Sequence, residues 1–434
     1  MKTALTIAGS DSSGGAGIQE DLKVFSALGV HGTCAITAAT AQNTKGIRKI
    51  EFLSGEIISE QIDSILTDVK VDAVKTGMLC TAEIVDLVYR KLKEYKIENL
   101  VVDPVMVSTS GTKLLELSSS NSLKNLKKLI KISRLTTPNV YEAEILSGIK
   151  INGLDDMKTA AKRIGNCIIT GGDFENNKIV DLLFSDNKVY TFKNKKNNAI
   201  IHGTGCTFSA AITANLAKGS DIVASIKNAE EFTADLIEHS FSTGHGNMNV
   251  LNPDINTERF FVIENIRKAL EILISGENSY KLAPQVGINI AMALSGAVKI
   301  GDVTGISGRI VKDREKLVPV GDIKFGGSSH MGRVVLTAKT FNPDKRAAMK
   351  IKFSGEILEI CRELNLTISS FDRSKQPEDT KTMEWGTKTA IESSGYVPGI
   401  IYDRGGIGKE AMIRVLGDSA TDVVNVALEI GRLL

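Results

Sequence analysis

The feature that most constrains this chain is a recurring unit of a short apolar run, a turn of glycines and small polar residues, and an amphipathic stretch of helical length. The apolar runs lie at 4–8, 73–75, 100–102 and 167–169. A strand covered on both faces reads as a continuous apolar run, and parallel neighbours need a crossover, so the alternation predicts an α/β fold with a mainly parallel sheet flanked by helices. In such sheets, binding residues gather in the loops beyond the carboxyl ends of the strands. Here those loops are 9–17, 76–78, 103–106, 137–139 and 170–173, all built of small or polar residues.

At 434 residues the chain exceeds what one core usually supports. The stretch 244–254 carries turn formers and no periodicity, which predicts a first domain over 1–256 and a second over 257–434. A helix over 258–275 is expected to open the second domain on Phe261, Ile266, Leu270 and Ile274, with Gly276 as its stop. Strands at 333–338 and 399–402 should follow it. Lys and Arg number 53 against 51 Asp and Glu, for a net charge of +2, which points away from nucleic-acid and membrane partners. The five cysteines have neither disulfide-like nor metal-ligand spacing. The apolar start is too short for a secretory signal, and no apolar run reaches the roughly 18 residues of a membrane span. A cytoplasmic protein, acting on small molecules as a homo-oligomer, is the expectation.

In 202–211, His-Gly-Thr-Gly-Cys-Thr-Phe-Ser-Ala-Ala, two glycines precede a helix of small residues. Glycines admit close backbone approach, and free N–H groups of a first helical turn bind anions, so Gly203, Thr204 and Gly205 form either an anion hole or a tight N-cap. Neither a P-loop nor a G-x-G-x-x-G fingerprint occurs. Together with 8–19, Ala41-Gln42-Asn43-Thr44, 75–79, Asp103-Pro104-Val105-Met106 and Gly244-His245-Gly246, this motif resembles the hydroxymethylpyrimidine/phosphomethylpyrimidine kinases of the ribokinase superfamily.

That resemblance implies ATP-dependent phosphoryl transfer with Mg²⁺, first to a hydroxymethyl group and then to the phosphate so formed. It gives Cys206 the catalytic position. A thiol at a helix N-terminus is expected to have a lowered pKa and to accept the hydroxyl proton. Asn139, Glu142 and Asp103 are implied for the ATP phosphates, with Glu142 and Asp103 as metal ligands, and Gly9, Asp11, Gln42, Met78 and Val105 for the pyrimidine ring. The chain departs from its relatives in one loop, where Thr170-Gly171-Gly172-Asp173 replaces Lys-Gly-Gly-His. Lys75, Lys193 and Lys195 are candidates to supply the missing charge. A pyridoxal-type kinase is the neighbouring alternative, against which Gln42 and Cys206 favour the pyrimidine.

Three clusters rich in glycine and charge follow, at 301–309, 324–333 and 402–410. Such segments suit phosphate recognition when several share a domain. With 282–291 and the Asp372-Arg373 pair, they resemble the archaeal-type thiamine-phosphate synthase domain, a smaller α/β domain too short for a TIM barrel. The implied reaction joins the pyrimidine pyrophosphate to thiazole phosphate and expels pyrophosphate. Arg309 would bind the leaving group and His330 would donate a hydrogen bond or proton to it, with Gly327, Ser328, Ser329, Arg404 and Lys409 around the phosphates. A non-catalytic ligand-sensing module is the alternative, although no helix-turn-helix accompanies it.

Overall fold

The computed structural model describes all residues but 108–110, 112–113, 116–119, 176–177 and 197–198. It divides into two compact units, Met1–Asp254 and Ile255–Leu434.

The first unit is organised by a nine-stranded sheet. Its strands are β1 (Lys2–Asp11), β2 (Val30–Asn43), β3 (Gly46–Phe52), β4 (Ala73–Thr76), β5 (Leu100–Val102), β6 (Leu135–Thr136), β7 (Cys167–Glu175), β8 (Lys178–Ser185) and β9 (Lys188–Lys195), in spatial order 3-2-1-4-5-6-7-8-9. Pairing is parallel from β2 to β7 and antiparallel at both edges. The centre of β1 is buried throughout. Ala4 meets Val24 and Phe25 of the helix Gly17–Ala27 and the helix Thr204–Ala217 on one face, while Leu5 and Ile7 meet the helices Gly55–Leu66 and Ala82–Glu94 on the other. This alternation of burial on both faces is why the strand reads as an unbroken apolar run. In Thr204–Ala217 every residue from Thr207 onward is buried, and its small side chains let it lie close to the sheet.

The second unit holds β12 (Asn289–Ala293), β13 (Val303–Ile306), β16 (Ile323–Phe325), β17 (Ala347–Lys352), β18 (Ile368–Ser370), β19 (Ile400–Asp403) and β20 (Met412–Gly417), in order 16-13-12-17-20-19-18. The short pair β10 (Ile201–His202) and β11 (Asn249–Val250) lies in the first unit, and β14 (Arg309–Asp313) and β15 (Lys316–Val320) form a separate hairpin. The seven-stranded sheet is antiparallel apart from β18–β19, and it is open rather than a barrel. Ala291, Ala348, Leu416 and Ile401 turn one face toward the helices Ser329–Phe341 and Thr382–Ser394.

Two sequence expectations need correction. The segment 333–338 is helical, within Ser329–Phe341, not a strand. Met331, Val334, Val335 and Ala338 are buried at helical spacing and Ser328 caps the start, so the period of 3.6 wins over the β-branched pair. The first helix of this unit runs Ile255–Ser275 and buries Val262, Ile266, Ala269 and Leu273, whereas Phe261 and Ile274 are exposed. Of the four residues expected to face the core, Ile266 alone is fully buried, because the apolar face lies a fraction of a turn away.

Because each unit has its own sheet and core, chains spanning 1–254 and 255–434 should each fold alone. Cooperative thermal unfolding with a native near-ultraviolet circular dichroism spectrum would bear this out. A molten spectrum from either piece would show that the cores depend on each other.

Candidate functional site

All five carboxyl-end loops of the first unit reach one cavity of about 330 Å³. Gly9, Asp11, Gln42, Met78, Val105, Asp103, Asn139, Glu142, Gly203, Gly205 and Cys206 line it, together with Lys75, Thr137, Thr170 and His202. Thr204 is the one residue expected in this group that does not reach the wall; its hydroxyl turns toward the Ile201 carbonyl, 3.5 Å away. The loops close on each other through two glycines. Gly203 has φ +83, and a Cβ there would lie 1.8 Å from the Gly15 oxygen; Gly17 has φ +60, and its Cβ would lie 2.4 Å from the Gly9 oxygen. Only glycine tolerates both the backbone angle and the approach.

Beneath the cavity Lys75 and Asp21 are fully buried, with Nζ 2.8 and 2.9 Å from the two carboxylate oxygens, and Thr6 donates a further bond of 2.6 Å. Burial alone would lower the Lys75 pKa, but the carboxylate of Asp21, with Cys206 and Asp103 beyond it, raises it. Lys75 is thus a fixed cation at the cavity floor. Of the other two lysines considered, Lys193 and Lys195 lie on β9 and do not line the cavity, and Asp173 forms an exposed pair with Lys196 at 2.5 Å.

Cys206 sits in the first turn of Thr204–Ala217, as expected, but its thiol is not acidic. Burial pushes its pKa up to about 12, with Lys75 and the Gly17 N–H only partly opposing, so it is protonated near neutrality. Asp103 and Glu142 share the same stress. Burial raises both, and the Asp103 charge helps hold Glu142 at about 8. Glu142 also closes a capping box with Asn139, accepting the Asn139 N–H at 3.0 Å and the Met106 N–H at 3.2 Å. Ser209 donates to Asp103 at 2.9 Å, and the buried Thr137 hydroxyl has no partner among the described residues. Two crowded carboxylates on one wall are suited to a divalent cation.

His202 is a member of the lining that sequence reasoning passed over. Its Nε2 lies 2.8 Å from Asp11 Oδ2 and 2.9 Å from the Gln42 amide. Burial pushes the Asp11 carboxyl up, but hydrogen bonds from His202 and Ser13 outweigh it and hold the group below its usual range. Asp11 and Gln42 therefore act as one hydrogen-bonded row. The position of His202, directly before Gly203, was the available signal.

In the second unit, Arg309 is exposed at the start of β14, and His330 stands in the first turn of Ser329–Phe341. His330 is exposed at its surface, but the protein packed around it and the charges of Arg414, Lys350, Arg373 and Arg333 lower it to about 4, so it is a neutral imidazole that can donate a hydrogen bond. Ser328 is committed to capping this helix, accepting the Met331 N–H at 3.4 Å. Gly327 passes so close to Gly305 that a Cβ would lie 2.3 Å from its oxygen. Both are thus parts of the scaffold, whereas Ser329 is exposed. Arg404 and Lys409 flank an exposed turn closed by reciprocal Gly406–Lys409 backbone bonds of 2.9 Å.

A family described as phosphomethylpyrimidine kinase matches residues 11–251, and one described as thiamine-phosphate synthase ThiN matches 265–429. The bifunctional thiamine biosynthesis protein ThiDN of Methanocaldococcus jannaschii is 36% identical over 97% of this chain and 96% of its own length. The hydroxymethylpyrimidine/phosphomethylpyrimidine kinase of Bacillus subtilis is 46% identical over 56% of this chain and 92% of its own. An ADP complex of Bacillus subtilis pyridoxal kinase superposes with a TM-score of 0.54 at 36% identity, covering 59% of this chain and 99% of that one. With both family matches in order and a relative aligned along nearly its whole length, this chain belongs to the bifunctional thiamine-biosynthesis enzymes, in which a phosphomethylpyrimidine kinase is followed by a thiamine-phosphate synthase.

Proposed function

We propose that the first unit phosphorylates 4-amino-5-hydroxymethyl-2-methylpyrimidine and then its monophosphate, using ATP and Mg²⁺, and that the second joins the resulting pyrophosphate to thiazole phosphate. The observation that carries the first half is the convergence of all five loops, Lys75 and the first turn of Thr204–Ala217 on one cavity. The Asp11–His202–Gln42 row offers donors and acceptors to the ring edge, and Met78 and Val105 offer apolar contact to its faces. The N–H groups of Gly205 and Cys206, above the Lys75 cation, are placed to stabilise charge on a transferring phosphoryl group. Asp103 and Glu142 would hold Mg²⁺, which when bound neutralises phosphate oxygens. The chain acts on small molecules, and among the described residues no helix is long and apolar enough to cross a membrane; a cytoplasmic homo-oligomer is the form we propose.

In the second unit, departure of pyrophosphate leaves positive charge on the pyrimidine methylene, so the site must stabilise the leaving anion. Arg309 and the neutral His330, beside several further cations, are suited to do so.

Incubating the enzyme with the hydroxymethylpyrimidine, thiazole phosphate, ATP and Mg²⁺ should yield thiamine monophosphate, with pyridoxal phosphorylated far more slowly. Preferred turnover of pyridoxal would reassign the first unit. Absence of thiamine monophosphate from pre-formed pyrimidine pyrophosphate would leave the second as a binding module.

Since phosphoryl transfer passes through a loose transition state, the attacking hydroxyl can keep its proton until late and release it to an oxygen of the phosphoryl group it joins, and a protonated Cys206 need only contact it. Cys206→Ser should therefore keep kinase turnover within about tenfold of wild type, with the same pH dependence of kcat/KM as wild type between about pH 6.5 and 8.5. A loss of roughly 10²–10⁴-fold, with a rise of kcat/KM with pH in the wild type that the variant lacks, would restore the thiolate base.

Glu142 is raised from 4.5 to about 8 in the fold, so between those values the folded state holds the extra proton and stability falls as pH rises. Mg²⁺ must displace that proton. Its stabilisation of the 1–254 chain should be larger at about pH 8.5 than at about pH 6 by thermal unfolding, and Glu142→Gln should remove the difference. Equal shifts at both pH values would take Glu142 out of the metal site.

A further inference from the structure

The second unit carries a cation that its sequence motifs do not announce. Lys350 lies in the middle of β17, in register with Arg414 of β20 on one side and Asn289 of β12 on the other. Residues directly opposite across a ladder point to the same face, so Lys350 and Arg414 are neighbouring like charges, an arrangement that costs stability in a sheet. The face is the one covered by the helices Ser329–Phe341 and Thr382–Ser394, since Ala348 and Leu416, two residues away on each strand, belong to that core. Lys350 is 7% exposed and Arg414 1%.

The two cations are treated differently. Arg414 bonds Asp403 at 2.7 Å, shares that carboxylate with Arg373 at 2.6 and 3.1 Å, and lies 5.2 Å from the centre of the Phe371 ring. Lys350 makes no ion pair or side-chain hydrogen bond among the described residues. The nearest influence of opposite sign is Glu410, whose two oxygens accept the Gln285 and Val286 N–H groups at 2.8 and 3.2 Å. Burial and the charges of Arg309 and Arg414, against Glu410, bring the Lys350 pKa down to about 8. The charge of Lys350 is in turn felt by His330.

We propose that Lys350 is a substrate-binding residue of the synthase unit, its ammonium taking a phosphoryl oxygen of an anionic substrate on the sheet face it shares with Arg414. This rests on the synthase reading of the second unit. A lysine buried over nine-tenths of its surface and without an ion-pair partner, set opposite an arginine, is an arrangement that a bound polyanion would relieve, and the first turn of a 13-residue helix, Ser329–Phe341, adds N–H donors on the same face. Phosphoryl oxygens reach this unit from two sources, the diphosphate of the pyrimidine substrate and the monophosphate of the thiazole.

The test uses the full chain with Lys350→Met and, in parallel, Lys350→Gln. Both keep most of the side-chain volume and delete the charge. Removing an unpaired buried cation should leave thermal unfolding of the second unit unchanged or raised, which establishes folding independently of activity. Synthase kinetics from pre-formed pyrimidine pyrophosphate and thiazole phosphate, with calorimetric binding of inorganic diphosphate and inorganic phosphate, are then compared with wild type.

We expect a loss of about 10–100-fold in kcat/KM for one substrate, as for a charge-assisted hydrogen bond, with kinase turnover unaffected. A parallel weakening of inorganic diphosphate places Lys350 on the leaving group. A selective rise in KM for thiazole phosphate, with diphosphate binding intact, places it on the monophosphate. If both folded variants match wild type in kinetics and in binding, Lys350 is not a binding residue. If the wild type neither forms thiamine monophosphate nor binds diphosphate, the synthase reading itself has failed.

Discussion

Charge held out of water is the constraint on which both units depend. Moving an ion from water into a protein interior costs several kcal/mol even after relaxation, and leaving half of a buried pair alone costs about 3–5 kcal/mol. Lys75 and Asp21 meet that cost by facing each other at 2.8 Å with no exposed surface, which fixes β4 against the helix Gly17–Ala27. Because the pair lies directly under the cavity, the geometry that satisfies Asp21 also directs the positive charge of Lys75 toward Asp103 and Cys206. The loop at 170–173 offers no lysine, and of the three lysines considered in its place Lys75 is the one that lines the cavity.

The two sites are unbalanced in opposite senses. The kinase cavity is lined by Asp11, Asp103 and Glu142 against Lys75, and two of its carboxylates are pushed upward by burial. In the second unit Arg373 and Arg414 share one acid, Asp403, Lys350 has no ion-pair partner among the described residues, and the histidine and this lysine are pushed downward. A site with surplus acid favours a metal ion and the phosphates that metal carries, and a site with surplus base favours a free polyanion. Transfer of a metal-bound phosphate and departure of a diphosphate would make these opposite demands.

The sequence was most informative where chemistry and backbone geometry coincide. Glycines such as Gly203 and Gly17 stand at positions no other residue can occupy, so the loops and the cavity they close were legible before the fold was. Apolar runs located β1, β4, β5 and the start of β7 for the same reason. What could not be read were single polar residues inside strands or directly before motifs. Lys350 and Arg414 sit among apolar neighbours with no spacing to mark them, and their adjacency exists only through the register of β17 with β20. His202 was hidden for a related reason, since its partners Asp11 and Gln42 are 191 and 160 residues away. The segment 333–338 misled because a β-branched pair at its start outweighed the wider helical period.

Cys206 shows why a local rule can fail in a correctly identified site. A helix N-terminus favours an anion by about 0.3–1 kcal/mol, and by about 2 kcal/mol in the best buried geometries. Burial moves the thiol from 9.0 to about 12 even with Lys75 and the Gly17 N–H opposing it. Three pKa units correspond to roughly 4 kcal/mol, so desolvation is the larger effect. The dipole and the lysine act on whatever occupies the cavity, however, and a phosphoryl group spreads its charge over several oxygens that can each meet an N–H donor. A single sulfur bonded only to Gly17 cannot. The features that fail to ionise Cys206 therefore remain available to a transferring phosphate, so an anion-stabilising helix terminus and a protonated cysteine can share one turn without conflict.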